Sequence, residues 1–359
     1  MVTRSADVLR DRVDKALHEW IHAARPSVAS ISPDLEPFVD ALAAFVLDGG
    51  KRLRPAFCYW GYRAAVASAG PADDDDAVVR AAAALELVQA SALMHDDVLD
   101  RSDIRRGAPS AHRRFTLAHQ AAGWSGDAEK FGHAAAILLG DLALVWADAM
   151  LADSGVPNDA LLRALPVWDA MRVEVMCGQY LDVVEQARGG GSVERSLRVA
   201  RFKAAKYTVE RPLHLGAAIA GGDGELLDGL SAYGLPLGEA FQLRDDVLGV
   251  YGDPQFTGKP AGDDLREGKR TVLVAYAIEH ATEAQRATLH DRVGDPALDL
   301  DGVQQLRDII TETGAAGAVE RLIEERAQAA LAALEHTAMT DDARTELAAL
   351  ATLATRRIR

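Results

Sequence analysis

The run from Ala81 to Leu99 is apolar on nearly every side of a helix, and three aspartates lie at its end. A helix that is apolar all round is buried in a large helical protein, so this run carries Asp96, Asp97 and Asp100 into the interior. Asp96 and Asp100 are four residues apart and share one helix face. Because ionised carboxylates are costly to bury unless they are paired or bound to metal, the run predicts a buried site that requires a cation.

A second aspartate cluster, Asp245 and Asp246, lies inside the apolar run Phe241–Leu248. Carboxylate oxygens suit hard cations, and Mg²⁺ typically combines one or two carboxylates with waters and substrate phosphates. Two such clusters in apolar surroundings predict one site whose two sides share divalent cations.

Frequent helix breaks divide the chain of 359 residues, which is rich in Ala, Leu, Arg and Glu. The breaks are Ser32-Pro33, Gly49-Gly50, Gly70-Pro71, Gly107–Pro109, Ser154–Pro157, Gly189–Gly191, Gly221-Gly222 and Gly252–Gly268. The segments between them have helical apolar spacing, which predicts an all-α fold of about a dozen helices. No linker is long enough to divide domains, so residues 1–359 are expected to form a single domain.

The formal net charge is −15, which argues against a nucleic-acid partner because such a partner requires a basic face. The N-terminus lacks a signal-peptide core, and the uncharged runs are shorter than the ~20 residues of a membrane helix. We therefore expect a soluble cytoplasmic protein without a transmembrane segment. Cys58 and Cys177 are expected to be buried thiols, and the run Asp73–Asp76 is expected to be a solvated loop.

Basic residues surround both aspartate clusters. The segment Gly49–Pro55 (GGKRLRP) joins a glycine turn to three cations and a helix-starting proline, which predicts an anion pocket. The candidate anion ligands of the chain are Gly50, Lys51, Arg54, Arg105, Arg106, Lys259 and Lys269. Each basic motif alone is weak evidence, but their placement around two aspartate clusters indicates a diphosphate site.

In order along residues 49–270, these motifs resemble those of the trans-isoprenyl diphosphate synthases, the polyprenyl synthetase family, and in particular a geranylgeranyl diphosphate synthase. The matching motifs are GGKRLRP (49–55), HDDVLD (95–100), RRG (105–107), GQYLD (178–182), Lys206-Tyr207-Thr208, Phe241-Gln242 with the second cluster, and Gly258-Lys259 with Lys269. The resemblance implies an isoprenoid synthase bundle around a central cavity, usually a homodimer. It also implies condensation of isopentenyl diphosphate with an allylic diphosphate through an allylic carbocation.

The resemblance further implies the cofactor and the residue roles. About three Mg²⁺ ions are expected, for which Mn²⁺ is expected to substitute, with Asp96 and Asp100 binding two and Asp245 the third. Asp97, Asp182 and Asp246 complete the expected metal-binding set. The expected allylic diphosphate ligands are Arg105, Lys206 and Lys259. The expected isopentenyl diphosphate ligands are Gly50, Lys51, Arg54, Gln89 and Arg106, with Gln179 and Lys269 as further substrate contacts. The expected stabilisers of the carbocation are Phe241, Gln242, Thr208 and the Lys206 carbonyl.

Product length depends on what blocks the growing chain below the first cluster. Ser91 and Ala92 lie one helical turn before Asp96 and are small, whereas aromatic residues there stop short products in the family. Val88 lies deeper. We therefore expect geranylgeranyl diphosphate as product, with farnesyl diphosphate or a longer polyprenyl chain as the alternatives. One departure from the family is Gly249, which replaces the third aspartate of the second motif and puts third-metal affinity in doubt.

Two other classes of protein stay open as remote alternatives. A class I terpene cyclase has a second metal motif of Asn, Ser and Glu, and no such triplet occurs near Asp245. A regulatory subunit of a heteromeric synthase usually lacks aspartates of the first motif, and all three are present here.

Overall fold

The computed structural model describes residues 4–66, 75–254, 260 and 262–355. Within these residues nearly all regular structure is helical and the strands are two residues long, which confirms the all-α prediction. The described residues within 1–167, 212–223 and 339–343 form one compact unit, and those within 168–211, 224–338 and 344–359 form a second. The assignment of the whole chain to a single domain stays a prediction.

The first unit contains six complete helices and a small hairpin among its described residues. These are α1 (Arg4–Ala29), a 3₁₀ turn (Pro33–Leu35), α2 (Glu36–Leu47), α3 (Leu53–Ala65), α4 (Asp76–Leu99), β1 (Ile104–Arg105), β2 (Ala108–Pro109), α5 (Ala111–Ala121) and α6 (Ala128–Ala152). Two further helices, α7 (Asn158–Arg188) and α9 (Arg211–Ala220), contribute residues to both units.

Helix α4 is the core helix of the first unit, as its apolar surface predicts. Leu85, Leu87 and Met94 are fully buried, and the helix packs on α6. At its C-terminal end the His95 ring fills the notch beside Gly140, and His95 Nε2 lies 3.1 Å from the carbonyl oxygen of Ile137. This packing fixes the end of α4 that carries the first aspartate cluster.

Paired glycines let α3 and α9 cross in direct backbone contact within the first unit. A Cβ on Gly61 would overlap the backbone of Leu213, and a Cβ on Gly216 would overlap the carbonyl oxygen of Cys58. Only glycine permits an approach of this kind, so these two positions set the depth at which α3 is buried.

The second unit contains the remaining helices. In chain order they are α8 (Val193–Val199), a π-helical segment (Ala200–Glu210), α10 (Gly224–Tyr251), α11 (Asp263–Glu267), α12 (Val272–His280), α13 (Glu283–Arg292), α14 (Leu300–Glu312), α15 (Ala315–His336) and α16 (Asp341–Thr355), the last of which also enters the first unit. Side-chain caps begin several of them, and Thr282 with Gln285 forms a capping box at α13. The buried core includes Leu243, Leu273 and Leu306.

Two helices, α4 and α6, are long and apolar enough to pass a length-and-composition test for a membrane span. Within the qualifying window, 72% of α4 and 44% of α6 is buried inside the protein. Core helices pass the same test, so this is weak evidence for membrane crossing.

Two expectations about individual residues are wrong. Asp75 is buried, not solvated, because it forms an ion pair with Arg12 of α1, which also binds Asp76 at 2.7 Å. Asp73 and Asp74 lie outside the described residues. Cys58 is buried as expected, but Cys177 is exposed on α7.

Candidate active site

Three arginines from the two basic motifs, GGKRLRP and RRG, donate hydrogen bonds to side chains of helix α4. The pairs are Arg52–Glu86 (2.7 Å), Arg54–Gln89 (2.7 Å) and Arg105–Asp97 (2.9 Å). Each acceptor lies on the same helix that carries the first aspartate cluster. The sequence predicted Arg54, Gln89, Arg105 and Asp97 as site residues, and the structure brings them together in the first unit.

Arg52 ties the chain on either side of the glycine turn to its surroundings, and it was not predicted as a site residue from the sequence. Its backbone is left-handed (φ 49°), the residue is only 4% exposed, and its Nε donates to Asp14 at 2.7 Å while Nη2 donates to the carbonyl oxygen of Val46 at 2.8 Å. Glu86 was the signal that could have revealed it. A lone carboxylate within an apolar helix requires a buried counter-charge.

The RRG motif is the turn of a two-residue hairpin. Arg106 and Gly107 both have positive φ (54° and 78°), as a type I′ turn requires. The turn directs Arg105 to Asp97 and Asp96, while Arg106 Nη1 lies 3.4 Å from the carbonyl oxygen of Gly49. The hairpin therefore brings the RRG motif next to the GGKRLRP loop.

The predicted residues of the first unit differ in their exposure. Asp96 and Asp97 are buried, Asp100 is half-buried at the end of α4, and its amide donates to the Asp96 carbonyl oxygen at 2.8 Å. Gly50 and Lys51 are exposed on the glycine turn. Of the chain-length residues, Val88 and Ser91 are buried and Ala92 is half-buried.

In the second unit, the GQYLD motif contacts the π-helical segment. A Cβ on Gly178 would overlap the backbone of Phe202 and Lys203, so the two elements lie in direct contact. One turn later on α7, buried Asp182 accepts a hydrogen bond from Lys203 Nζ at 2.6 Å. Gln179 lies half-buried on the same turn. π-Helical turns are rare and occur frequently at functional sites. Lys203 is a second residue that the sequence analysis missed, although a buried Asp182 requires a nearby cation.

Lys206, predicted to bind the allylic diphosphate, lies in a network of four charges. Its Nζ is 2.8 Å from Glu174 and 3.4 Å from Glu210, and Arg211 binds Glu174 through two hydrogen bonds of 2.7 Å. Burial raises the pKa of Glu174, but the bonds from Arg211 and Lys206 outweigh it and hold that pKa below its usual value. The Lys206 carbonyl, predicted to face the carbocation, accepts a hydrogen bond from the Arg211 amide. Thr208 is buried.

The second aspartate cluster is crowded with negative charge. Asp246 is buried and accepts a hydrogen bond from Gln242 Nε2 at 2.8 Å, while Asp245 is half-buried. Burial, together with the nearby carboxylates of Asp264 and Asp245, raises the pKa of Asp246 to about 8. A bound cation would offset this repulsion and favour the charged form of the carboxyl group. Phe241 is buried at the start of the cluster.

The cations predicted to follow the second cluster are only partly described. Lys269 Nζ lies 2.6 Å from Glu267 and 3.6 Å from Asp264, so it belongs to the same unit as the cluster. Lys259 lies outside the described residues. Among the residues that the structure describes, no three His, Cys, Asp or Glu side chains are grouped as a closed metal centre. The two clusters lie in different units, and the sharing of cations between them stays a prediction.

Comparison with known proteins assigns the family. The polyprenyl synthetase family model matches residues 36–310. The chain is 32% identical over 289 residues to a geranylfarnesyl diphosphate synthase of Aeropyrum pernix, covering 80% of this chain and 82% of that protein. It is 32% identical over 265 residues to a (2E,6E)-farnesyl diphosphate synthase of Mycobacterium tuberculosis, covering 73% and 67%.

A solved structure is similar over nearly the whole chain. The geranylgeranyl pyrophosphate synthase of Corynebacterium glutamicum superposes with a TM-score of 0.95 at 44% identity, covering 98% of this chain and 99% of that one. The arginines gathered on α4, the two aspartate clusters and these relatives agree in one assignment. The chain is a short-chain trans-prenyl diphosphate synthase and belongs to the polyprenyl synthetase family.

Proposed function

We propose that this enzyme condenses isopentenyl diphosphate with allylic diphosphates to make geranylgeranyl diphosphate. The observation that carries the proposal is the arrangement on α4, where the GGKRLRP loop and the RRG turn meet beside Asp96 and Asp97. Cations next to a carboxylate cluster provide for two diphosphates, one bound through metal and one bound by basic side chains alone. A terpene cyclase binds a single diphosphate substrate and would have no use for a second anion pocket at the GGKRLRP loop.

The residues present fit magnesium. Asp96 and Asp100 offer hard oxygen ligands from one helix face. At the second cluster, burial and then the nearby carboxylates of Asp264 and Asp245 raise the pKa of Asp246, and a bound cation would favour its charged form. The related synthase of Corynebacterium glutamicum was solved with magnesium and isoprenyl diphosphate. We propose about three Mg²⁺ ions, with Mn²⁺ as a substitute, bound by Asp96, Asp100 and Asp245. When bound, the metal neutralises the charge of the departing diphosphate.

In the mechanism that we propose, each group of residues has one task. The basic residues Arg105 and Lys206, with Lys259, orient the allylic diphosphate. Its C1–O bond breaks and leaves an allylic carbocation. The π-face of Phe241 and the dipoles of Gln242 and Thr208 stabilise the cation without trapping it. The double bond of isopentenyl diphosphate attacks, and the released diphosphate accepts the C2 proton.

Isopentenyl diphosphate would bind at the GGKRLRP loop without metal. Arg54 is already oriented by Gln89, and Arg106 lies beside the glycine turn, so two cations are placed before the substrate arrives. Exposed Lys51 would close on the diphosphate as a third. Groups oriented in advance lose less conformational entropy on binding.

The size of the side chains below Asp96 supports a twenty-carbon product. Ser91 and Ala92 leave room for a growing chain, and Val88 lies deeper on the same buried helix. Trp146 of α6 is also buried, with its ring edge-on to Trp20 at a centroid distance of 5.5 Å. It is a second candidate for the residue that blocks further growth of the product chain. The relatives include farnesyl and geranylfarnesyl synthases, which is why product length requires direct measurement.

Ser91→Phe combined with Ala92→Phe is expected to shorten the product to fifteen carbons or fewer. Two aromatic rings one turn below Asp96 would occupy the space that the later isoprene units enter. Radio-thin-layer chromatography of the dephosphorylated products measures the change. Ala118→Phe, which adds the same bulk on an exposed face of α5, is the matched control. If the double variant made products of the same length as the wild type, residues other than Ser91 and Ala92 would limit the length of the product.

The direct test of the proposed function is incubation with isopentenyl diphosphate and dimethylallyl, geranyl or farnesyl diphosphate in turn, with Mg²⁺ or with a chelator. We expect all three primers to be extended to geranylgeranyl diphosphate, and no turnover with the chelator. A product that stops at farnesyl diphosphate, or that exceeds twenty carbons, would overturn the length assignment while retaining the reaction class.

We also propose that the enzyme works as a homodimer in the cytoplasm. Each unit exposes an apolar stripe at helical spacing, formed by Leu138 and Val145 on α6 and by Val173, Met176 and Tyr180 on α7. Contiguous exposed apolar side chains mark interaction surfaces, and the family resemblance favours a second copy as the partner. Light scattering should give twice the 38.3 kDa of one chain.

A further inference from the structure

The guanidinium of Arg270 lies buried in the second unit. The residue is 9% exposed, and its Nε and Nη1 atoms have no hydrogen-bond partner among the residues that the structure describes. Burial lowers its pKa, and no charge on a described residue offsets that effect. Because an arginine side chain keeps its proton in a protein, Arg270 places a positive charge in the interior that the described part of the chain does not neutralise.

Two other arginines of comparable burial have partners within the chain. Arg52 pairs with Glu86, and Arg54 donates to Gln89. A buried charge is costly unless it is paired, and a buried polar group without a partner in a folded protein indicates a bound ion, an ordered water or a functional role. Water is neutral and does not balance the charge of a guanidinium. The environment of Arg270 therefore indicates an anion.

The chain beside Arg270 adds to the positive potential. Helix α12 begins two residues later at Val272, and its first turn contains no acidic residue. Thr271 caps the helix by accepting a hydrogen bond from the Val274 amide at 3.3 Å. The amides of Val272 and Leu273 have no intrahelical acceptor at their positions. Because a helix N-terminus favours an anion and disfavours a cation, Arg270 lies where its own charge is unfavourable and an anion would be attracted.

The backbone of Arg270 is fixed within the loop that joins α11 to α12. The buried hydroxyl of Ser196 on α8 donates to the Arg270 carbonyl oxygen at 2.7 Å. The amide of Lys269 donates to the carbonyl oxygen of Asp264 on α11 at 3.0 Å. These two bonds attach the loop to two helices, so the position of Arg270 is set by the packing of the second unit.

We propose that Arg270, at the N-terminus of α12, binds a phosphate-type oxyanion. A planar guanidinium and free amides match the oxygens of a phosphate or diphosphate group, which accept several charge-assisted hydrogen bonds at once. Adjacent Lys269 lies 2.6 Å from Glu267, so Arg270 is the cation of this loop that no described carboxylate neutralises. The inference does not rest on the proposed reaction. Free inorganic phosphate and the diphosphate group of a substrate or product are the two sources of such an anion.

Isothermal titration calorimetry in metal-free chloride buffer tests the inference with inorganic phosphate and, separately, with inorganic pyrophosphate. Arg270→Met is expected to weaken binding by roughly 10-fold or more, the loss that follows removal of hydrogen bonds to a charged group. Weaker binding of both anions would identify free phosphate as a ligand, and weaker binding of pyrophosphate alone would identify a diphosphate group. Wild-type affinity for both anions would overturn the inference. Binding at the basic residues of the first unit is common to both proteins and cancels in this comparison.

Arg198→Met is the matched control, because it removes an arginine of the same unit whose side chain is exposed and paired with Glu194 at 2.8 Å. It should bind both anions as the wild type does. In the same buffer without phosphate, Arg270→Met should melt at or above the wild-type temperature, because it removes the cost of an unpaired buried charge. Melting well below the wild type would show that Arg270 has a partner within the protein, and would also overturn the inference.

Discussion

Asp96→Ala is expected to lower kcat by about 10²–10³-fold or more, the range found when one preorganised charge-stabilising group is removed. Asp96 is buried at the end of α4, and Arg105 Nη2 lies 3.5 Å from its carboxylate. Loss of this carboxylate would remove a metal ligand and leave Arg105 less well oriented. Steady-state assays with isopentenyl and farnesyl diphosphate at saturating Mg²⁺ measure the effect.

The matched control for this variant is Asp153→Ala, which removes an exposed carboxylate from the same unit after the end of α6. It should retain wild-type turnover. Circular dichroism of Asp96→Ala should show a folded helical protein, since the expected defect is chemical. Undiminished turnover in a folded Asp96→Ala variant would refute the assignment of the first cluster to the metal.

Arg52→Met is expected to destabilise the protein by about 3–5 kcal/mol, the cost of removing one partner from a buried ion pair. The Arg52 and Glu86 side chains are only 3% and 4% exposed, so Glu86 would be left charged in an apolar helix. Urea denaturation followed by circular dichroism measures the change in unfolding free energy. Arg52→Met with Glu86→Leu should recover most of the loss, because well-packed apolar residues can replace a buried ion pair.

The comparison for Arg52 is Arg25→Met. Arg25 forms an ion pair with Asp40 in which both side chains are well exposed, so its loss should cost about 0–1 kcal/mol. A similar small loss in Arg52→Met would show that the left-handed turn before α3 forms without the buried pair. The support that we assign to the GGKRLRP loop would then be wrong.

The sequence predicted those parts of the fold that depend on local chemistry. The break predicted at Ser154–Pro157 separates α6 from α7, and the break predicted at Gly189–Gly191 separates α7 from α8. Proline and glycine interrupt helices through the conformation of their own backbone, so these breaks can be predicted from the sequence. The π-helical segment was not predictable in this way. It contains neither glycine nor proline, and it lies in backbone contact with Gly178 of α7 and Gly238 of α10, which are distant in sequence.

The sequence identified most candidate residues of the site but not their partners. Aspartates in apolar helices and cations near glycines stand out by residue type, and Arg54, Arg105 and Asp97 were found in this way, whereas Gln89 followed only from the family resemblance. Which cation meets which carboxylate depends on how helices pack. For that reason Arg52 and Lys203 were not recognisable as site residues from the sequence, and Asp264 could not be recognised as a neighbour of Gly249 from spacing alone.

The π-helical segment has a consequence for how this site tolerates changes in chain length. Because a π-type hydrogen bond spans five residues where an α-type bond spans four, we expect the deletion of one residue between 200 and 210 to be absorbed by a return to α-helical geometry. The flanking helices would keep their register, while the side chains inside the segment would rotate by about 100° per residue removed. A single-codon deletion could thus exchange Lys206 for a neighbour at the same place while the scaffold survives.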